Sequence, residues 1–173
     1  DALWLSGRDF LCDAGYEQYE VSNFAKKGFE SRHNCAYWRM EDYEGIGAGA
    51  VGTVRDFRYA NTKDIASYTA FWADEKKSLS SDISYSEIPQ SIRAAEHLSE
   101  KDRILEFLMM GFRMREGISS REFYRRFSIP LEDVIGKVFA RWAGRGLAEK
   151  CGERYRLTGE GLLFLNDFLT ELA

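Results

Sequence analysis

"SRHNCAYWRMEDYEGIGAGAVG", Ser31 to Gly52, is the stretch on which the reading of this chain turns. His33, Asn34, Cys35, Tyr37 and Trp38 crowd into six residues, and a run of alternating glycines begins at Gly45. Gly47-Ala48-Gly49-Ala50-Val51-Gly52 fits G-x-G-x-x-G, a weak signal when it stands alone. A dinucleotide fingerprint opens a helix, whereas Thr53-Val54-Arg55 reads as extended. It also calls for an acidic residue about 20 positions on, and Ser67 stands there. No Gly-Lys-Ser/Thr follows the glycines, so a phosphate loop of the Walker type is excluded as well. Two readings stay open. One is a tightly packed strand-to-turn, in which glycine permits positive φ and close backbone approach. The other adds a ligand lying against the bare backbone.

The cluster before the glycines also has two readings. Neutral imidazole is the commonest metal ligand, so His33 could meet iron, with a Cys35 thiolate as competitor. Tyr37 and Trp38 could stack on a flat apolar ligand. The plainer alternative has His33 and Asn34 satisfying loop backbone groups while Tyr37 and Trp38 fill a core.

The rest of the chain narrows the classes. Its 173 residues, 45% hydrophobic, suffice for one domain or two small ones with a real core. A net charge of -4 and a pI near 5.4 argue against a dedicated nucleic-acid binder. Cys12, Cys35 and Cys151 are odd in number and widely spaced, which predicts no disulfide framework and a reducing, cytoplasmic setting. There is no C-x-x-C, no C-x-x-x-C-x-x-C and no H-E-x-x-H, and His33 and His97 are the two histidines. No apolar run approaches the roughly 18 to 20 residues of a membrane span, and no basic start leads into an apolar stretch.

Periodicity predicts a helix over "DALWLSGRDFLCDAGY" with Gly15 as its stop, then a strand over "YEQYEVSNF". A helix running into a strand reads as the tail of a β/α unit whose partner strands lie upstream, so the chain is expected to be part of something larger. "GTVRDFRYANT" reads as another strand and "DIASYTAFWADEKK" as a helix capped by Asp64. "SLSSDISYSEIPQ" is the linker candidate. Beyond it, "SEKDRILEFLMMGFRM", "SSREFYRRF" and "PLEDVIGKVFARWAGRG" read as three helices, the first capped by Ser99 and the second opening on a Ser119-x-x-Glu122 capping box. "LAEKCGERYRLT" follows as two short β runs, and "GEGLLFLNDFLTEL" as a last helix capped by Thr158. The expected division is an α+β or α/β segment over 1–95 and a mainly helical, winged-helix-like domain over 96–173.

"GYEQYEVSNFA", "SRHNCAYW", "YEGIGAGAVG" and "RYAN", in this order, resemble the oxygen-independent coproporphyrinogen III oxidase family of radical S-adenosylmethionine proteins. The heme chaperone branch is the nearer match, through an H-N-x-x-Y-W motif at His33, Asn34, Tyr37 and Trp38. The family's E-x-x-M-x-G-x-R helix and LT-x-x-G ending match Glu106, Met109, Gly111 and Arg113, then Leu157, Thr158 and Gly161. The resemblance runs from about Gly15 to the end and covers the family's C-terminal part: the end of a partial (β/α) barrel, a covering segment and the helical domain.

The resemblance implies several things. Heme or porphyrin is expected at His33, Asn34, Cys35, Tyr37 and Trp38, with His33 as candidate iron ligand. S-adenosylmethionine is expected beside Gly45, Ile46, Gly47, Gly49, Ala50 and Val51, next to the porphyrin site. The family's [4Fe–4S] cluster is held by a three-cysteine motif that is missing here, so this chain by itself should not be catalytic. An upstream radical barrel domain becomes the expected partner. The motif differs in the oxidase branch, which argues against coproporphyrinogen decarboxylation. Without that upstream barrel an apolar face formed by Tyr19, Val21, Ile46 and Val54 is expected to be exposed, which predicts self-association.

The rival class is a non-catalytic lid, or a winged helix gripping nucleic acid through Arg121, Arg125, Arg126, Arg141, Arg145, Lys150, Arg154 and Arg156. Glu122, Glu132, Asp133, Glu149 and Glu153 interleave with these, leaving little net charge for counterion release. A duplex-DNA mobility-shift assay at low salt should therefore show no retention; a salt-sensitive shift would revive the nucleic-acid reading.

Overall fold

The computed structural model describes residues 2–73 and 88–172. The expected linker falls mostly outside these residues, and of it Ile88, Pro89 and Gln90 are described. The chain order is α1 (Ala2–Asp13), β1 (Glu17–Gln18), β2 (Phe24–Ala25), α2 (Arg32–Trp38), β3 (Val51–Val54), β4 (Phe57–Asn61), α3 (Ile65–Trp72) and β5 (Arg93–His97). Then come α4 (Glu100–Gly111), β6 (Ile118–Ser119), α5 (Ser120–Phe127), α6 (Leu131–Gly144), β7 (Ala148–Cys151), β8 (Arg154–Leu157), a 3-10 turn (Gly161–Phe164) and α7 (Leu165–Leu172). The mixed α/β content agrees with the class expected from the sequence.

Two compact units form. One comprises Asp1–Met40 with Ile104–Ala173, the other Glu41–Arg103, so one boundary falls inside α4. These units do not follow the expected 1–95 and 96–173 division, because the first forty residues cluster with the C-terminal helices.

In the first unit the three expected helices appear as α4, α5 and α6, each started as the sequence suggests. Ser99 Oγ accepts from Asp102 N at 3.2 Å and Ser119 Oγ from Glu122 N at 3.3 Å. Pro130 stands at the N-cap of α6. Glu122 turns to Arg126 at 2.9 Å, so the capping box is half formed. Leu131, Ile135, Phe139 and Trp142 recur at helical spacing and are all buried. They pack with Phe107, Leu108, Phe112 and Phe168 in one core. Met109 is 41% exposed. The antiparallel sheet β6-β8-β7 closes this unit, with Ile118 opposite Tyr155 and Lys150 opposite Tyr155. Gly117 is required before it: its φ is +66°, and a Cβ there would run into Tyr155 O. Helix α1 forms as expected but buries none of its residues; Leu3 and Phe10 stand exposed.

Two expected strands become hairpins. "YEQYEVSNF" divides into β1 and β2, paired Glu17 to Ala25 and Gln18 to Phe24. "GTVRDFRYANT" folds back as β3 and β4 around Arg55, whose φ is +57° and whose N–H donates to Asp42 Oδ1 at 2.8 Å. No Asn-Gly or Asp-Gly marks that turn, so the sequence hides it. In the second unit β4 also pairs with β5, giving the sheet β3-β4-β5. Arg-Ala-Ala-Glu-His is poor in β-branched residues, and pairing with β4, rather than propensity, makes it a strand. Helix α3 starts at its predicted cap, where Asp64 accepts from Ser67 N at 3.1 Å.

Phe168 is fully buried, edge-on to Phe112 at 4.8 Å and to Trp142 at 5.0 Å between ring centroids. Phe168→Ala should cost about 3–5 kcal/mol of stability in urea unfolding. A loss under about 1 kcal/mol would mean that this core collapses around the gap.

Candidate functional site

The H-N-x-x-Y-W motif is a helix. Ser31 caps α2 by accepting from Asn34 N at 3.3 Å, and seven helical residues follow, Arg32–Trp38. A period of 3.6 therefore divides the candidate residues between two faces. His33 and Tyr37 are four apart and both exposed. Among the described residues no hydrogen bond or ion pair engages the His33 ring. Asn34 and Trp38, also four apart, are half-buried, and Cys35 is buried. Burial of Cys35 turns the competing iron ligand into the protein, leaving His33 as the exposed donor of the pair.

The inner face of α2 rests on a small ladder. Val21 N donates to Arg113 O at 3.1 Å, and Arg115 N donates to Tyr19 O at 3.0 Å. Asn34 Nδ2 donates to Tyr19 OH at 3.4 Å. The Arg113 guanidinium lies over the Trp38 ring at 4.5 Å, and Tyr37 meets the same ring edge-on at 5.1 Å. Glu20, fully buried, accepts from Ser22 N at 2.9 Å and from Asn23 Nδ2, while its other oxygen faces Arg113 Nη2 at 3.9 Å. The sequence does not mark Glu20 and Tyr19 as site residues, although both lie in "GYEQYEVSNFA", which carries part of the family resemblance. A glutamate within an alternating run reads as a solvent-facing strand position, and that pattern concealed it.

The glycine loop belongs to the second unit. Gly45 is buried, and a Cβ on it would run into Val51 O. Gly47 and Gly49 take φ of +109° and +74°. Most of the loop's polar backbone is consumed internally. Gly45 N donates to Tyr59 OH at 2.8 Å and Gly47 N to Tyr68 OH at 3.0 Å. Asn61 Nδ2 donates to both Gly45 O and Gly47 O at 3.0 Å, and Gly49 N donates to Thr62 O at 2.8 Å. The Arg93 guanidinium covers the Tyr59 ring at 4.0 Å and bonds Asn61 Oδ1 at 2.9 Å. Burial pushes the Tyr59 phenol above its ordinary range, opposed by the Gly45 hydrogen bond and by Arg93. Ile46 and Val51 are exposed, and Ala50 is half-buried. The packing reading of the glycines therefore accounts for their backbone, and the exposed side chains remain for a ligand.

Cys12, Cys35 and Cys151 are all free, and among the described residues no three His, Cys, Asp or Glu side chains gather as metal ligands. The residues present do not fit an iron–sulfur cluster. No helix among the described residues is long and apolar enough to cross a membrane.

The HemN C-terminal domain family model matches residues 98–164. The heme chaperone HemW of Escherichia coli is 34% identical over 174 residues, covering 98% of this chain and 42% of that protein. HemW of Lactococcus lactis is 33% identical over 153 residues, 88% of this chain and 36% of that one. The mitochondrial radical S-adenosyl methionine domain-containing protein 1 of Mus musculus is 32% identical over 175 residues, 98% and 38% of the two chains. Among solved structures, the radical SAM coproporphyrinogen III oxidase HemN of E. coli superposes with a TM-score of 0.63 at 16% identity, over 98% of this chain and 39% of that one. At that identity the likeness is one of fold. The chain spans about two fifths of the length of the curated relatives it matches.

Tyr59→Phe would leave the buried Gly45 N–H without its acceptor. The expected cost is about 1–3 kcal/mol of stability, read by chemical denaturation; an unchanged midpoint would mean that the loop does not depend on this bond.

Proposed function

Because the chain corresponds to the C-terminal part of an oxygen-independent coproporphyrinogen III oxidase-like radical S-adenosylmethionine protein, we propose that it serves a heme chaperone-type protein, contributing the surface on which heme is held. The observation that carries this reading is the exposed His33–Tyr37 face of α2. A free imidazole stands one helical turn from a phenol ring that can lie along a macrocycle. Heme is cargo here, and the chain's part is to bind and orient it. The cluster chemistry of the family lies outside these residues, so no step is assigned to it.

The finer architecture is part of the same proposal. The order α4-β6-α5-α6-β7-β8, with the β7-β8 hairpin paired to β6, supports a winged-helix-like name for the C-terminal unit. Helix α1 and the β1-β2 hairpin are read as the end of the partial barrel. The exposed Ile46 and Val51 side chains support the glycine loop as the apolar wall of an S-adenosylmethionine site, completed by the upstream domain. Free cysteines support a reducing, cytoplasmic compartment. Of the residues expected to drive association, Ile46 is exposed while Tyr19, Val21 and Val54 are half-buried; the exposed Leu3 and Phe10 of α1 support association with that domain or with a second copy instead.

The test is heme titration of the full-length protein, upstream domain included. His33→Ala should weaken binding and alter the Soret band without abolishing it, since burial of the macrocycle still contributes about 25 cal/mol per Å². Cys35→Ala should leave the band unchanged. An unchanged spectrum and affinity in His33→Ala would make this histidine a surface residue of α2 and sink the reading.

A further inference from the structure

Helix α2 has seven residues, too few to fix its own direction without tertiary contacts. Its two polar anchors, Asn34 on Tyr19 and Trp38 under Arg113, are one turn apart on the inner face. Both come from the same ladder, in which residues 19–21 pair with 113–115. Glu20 stands at the centre of that ladder, bridged to Met114, with its carboxyl fully buried. The Arg113 guanidinium is thus held between the Glu20 carboxyl at 3.9 Å and the Trp38 ring at 4.5 Å.

This arrangement is a poor device for stability alone. Among the described residues, Glu20 Oε2, Arg113 Nε and Trp38 Nε1 are buried with no hydrogen-bond partner. Apolar residues of similar volume often serve a fold as well as an ion pair withdrawn from water, here a fully buried Glu20 with a half-buried Arg113, and what such a pair can add is specificity of arrangement. The guanidinium is a rigid plane that stacks in one orientation. A ring stacked on it, at the last helical residue of α2, fixes the rotation of the whole helix.

We propose that Arg113, oriented by Glu20, is a positioning residue: by clamping Trp38 it sets the direction in which α2 presents the His33 imidazole. This rests on the heme reading of His33. The role parallels that of groups behind metal-ligating side chains, whose removal typically costs about 10- to 100-fold in affinity.

The experiment uses the full-length protein with ferric heme, reading affinity, the Soret band and the thermal midpoint. Arg113→Met removes the clamp but leaves the buried Glu20 carboxyl with Ser22 N and Asn23 alone as partners, so a lowered thermal midpoint is expected of this variant. Glu20→Gln combined with Arg113→Met removes both charges and keeps the volumes. The double variant should melt close to wild type yet bind heme about 10- to 100-fold more weakly with an altered Soret band. A double variant that melts and binds like wild type overturns the proposal. His33→Ala is run beside it. If His33→Ala alters the band and the double variant does not, the clamp is wrong and the heme reading stands. If His33→Ala itself changes nothing, the heme reading has failed and the clamp falls with it.

Discussion

A carboxyl group cut off from water has to be answered by fixed donors, and Glu20 imposes that demand on the first unit. Its partners are the Ser22 amide and Asn23 in its own turn and the guanidinium of Arg113, 93 residues along the chain by the numbering. The local donors fold "YEQYEVSNF" back into a hairpin where simple alternation would have continued a strand. The distant one brings the segment after α4 against residues 19–21, and the backbone bonds of that ladder follow. The clustering of residues 1–40 with the C-terminal helices is consistent with this long-range pairing.

The same ladder decides what the aromatic and histidine motif can do. As letters, His33, Asn34, Cys35, Tyr37 and Trp38 look like one set of ligand-binding groups. As a helix they are two sets, and the inner set is occupied by protein. Trp38 has a guanidinium on its ring, Asn34 a phenol, and Cys35 is buried. The packing reading holds for the inner face, while His33 and Tyr37 on the outer face stand exposed. A motif of mixed polarity is what a short helix needs when one side must be gripped and the other left open.

Much of the helical half was legible because its signals are local. Ser99, Ser119 and Asp64 cap where they were expected to, and Leu131, Ile135, Phe139 and Trp142 recur at the helical period. The β structure was less legible because its causes are not local. The turn at Arg55 carries no turn dipeptide, and β5 lacks strand-forming residues and owes its existence to β4. At the site, the sequence marked His33 and the glycines but not Glu20, whose importance lies in burial. Nor did it show α2, because a seven-residue helix holding His, Asn, Cys and Tyr has no apolar stripe to announce it.

The glycine loop shows how one sequence signal can carry two consequences. Gly45 is there because Val51 O leaves no room for a Cβ, and Gly52 because the Tyr59 ring does the same. Those are packing reasons, and they would hold with no ligand present. Yet satisfying the loop's amides and carbonyls from within, through Tyr59, Asn61 and Tyr68, changes what the loop offers outward. A cradle of free N–H groups would select anions. A loop whose polar groups are largely spent, with Ile46 and Val51 exposed, offers mainly shape and apolar contact. Such a surface suits the less polar parts of a ligand and leaves recognition of charge to residues elsewhere. The close packing that makes the glycines look merely structural is therefore also what leaves the loop a mainly apolar outward face.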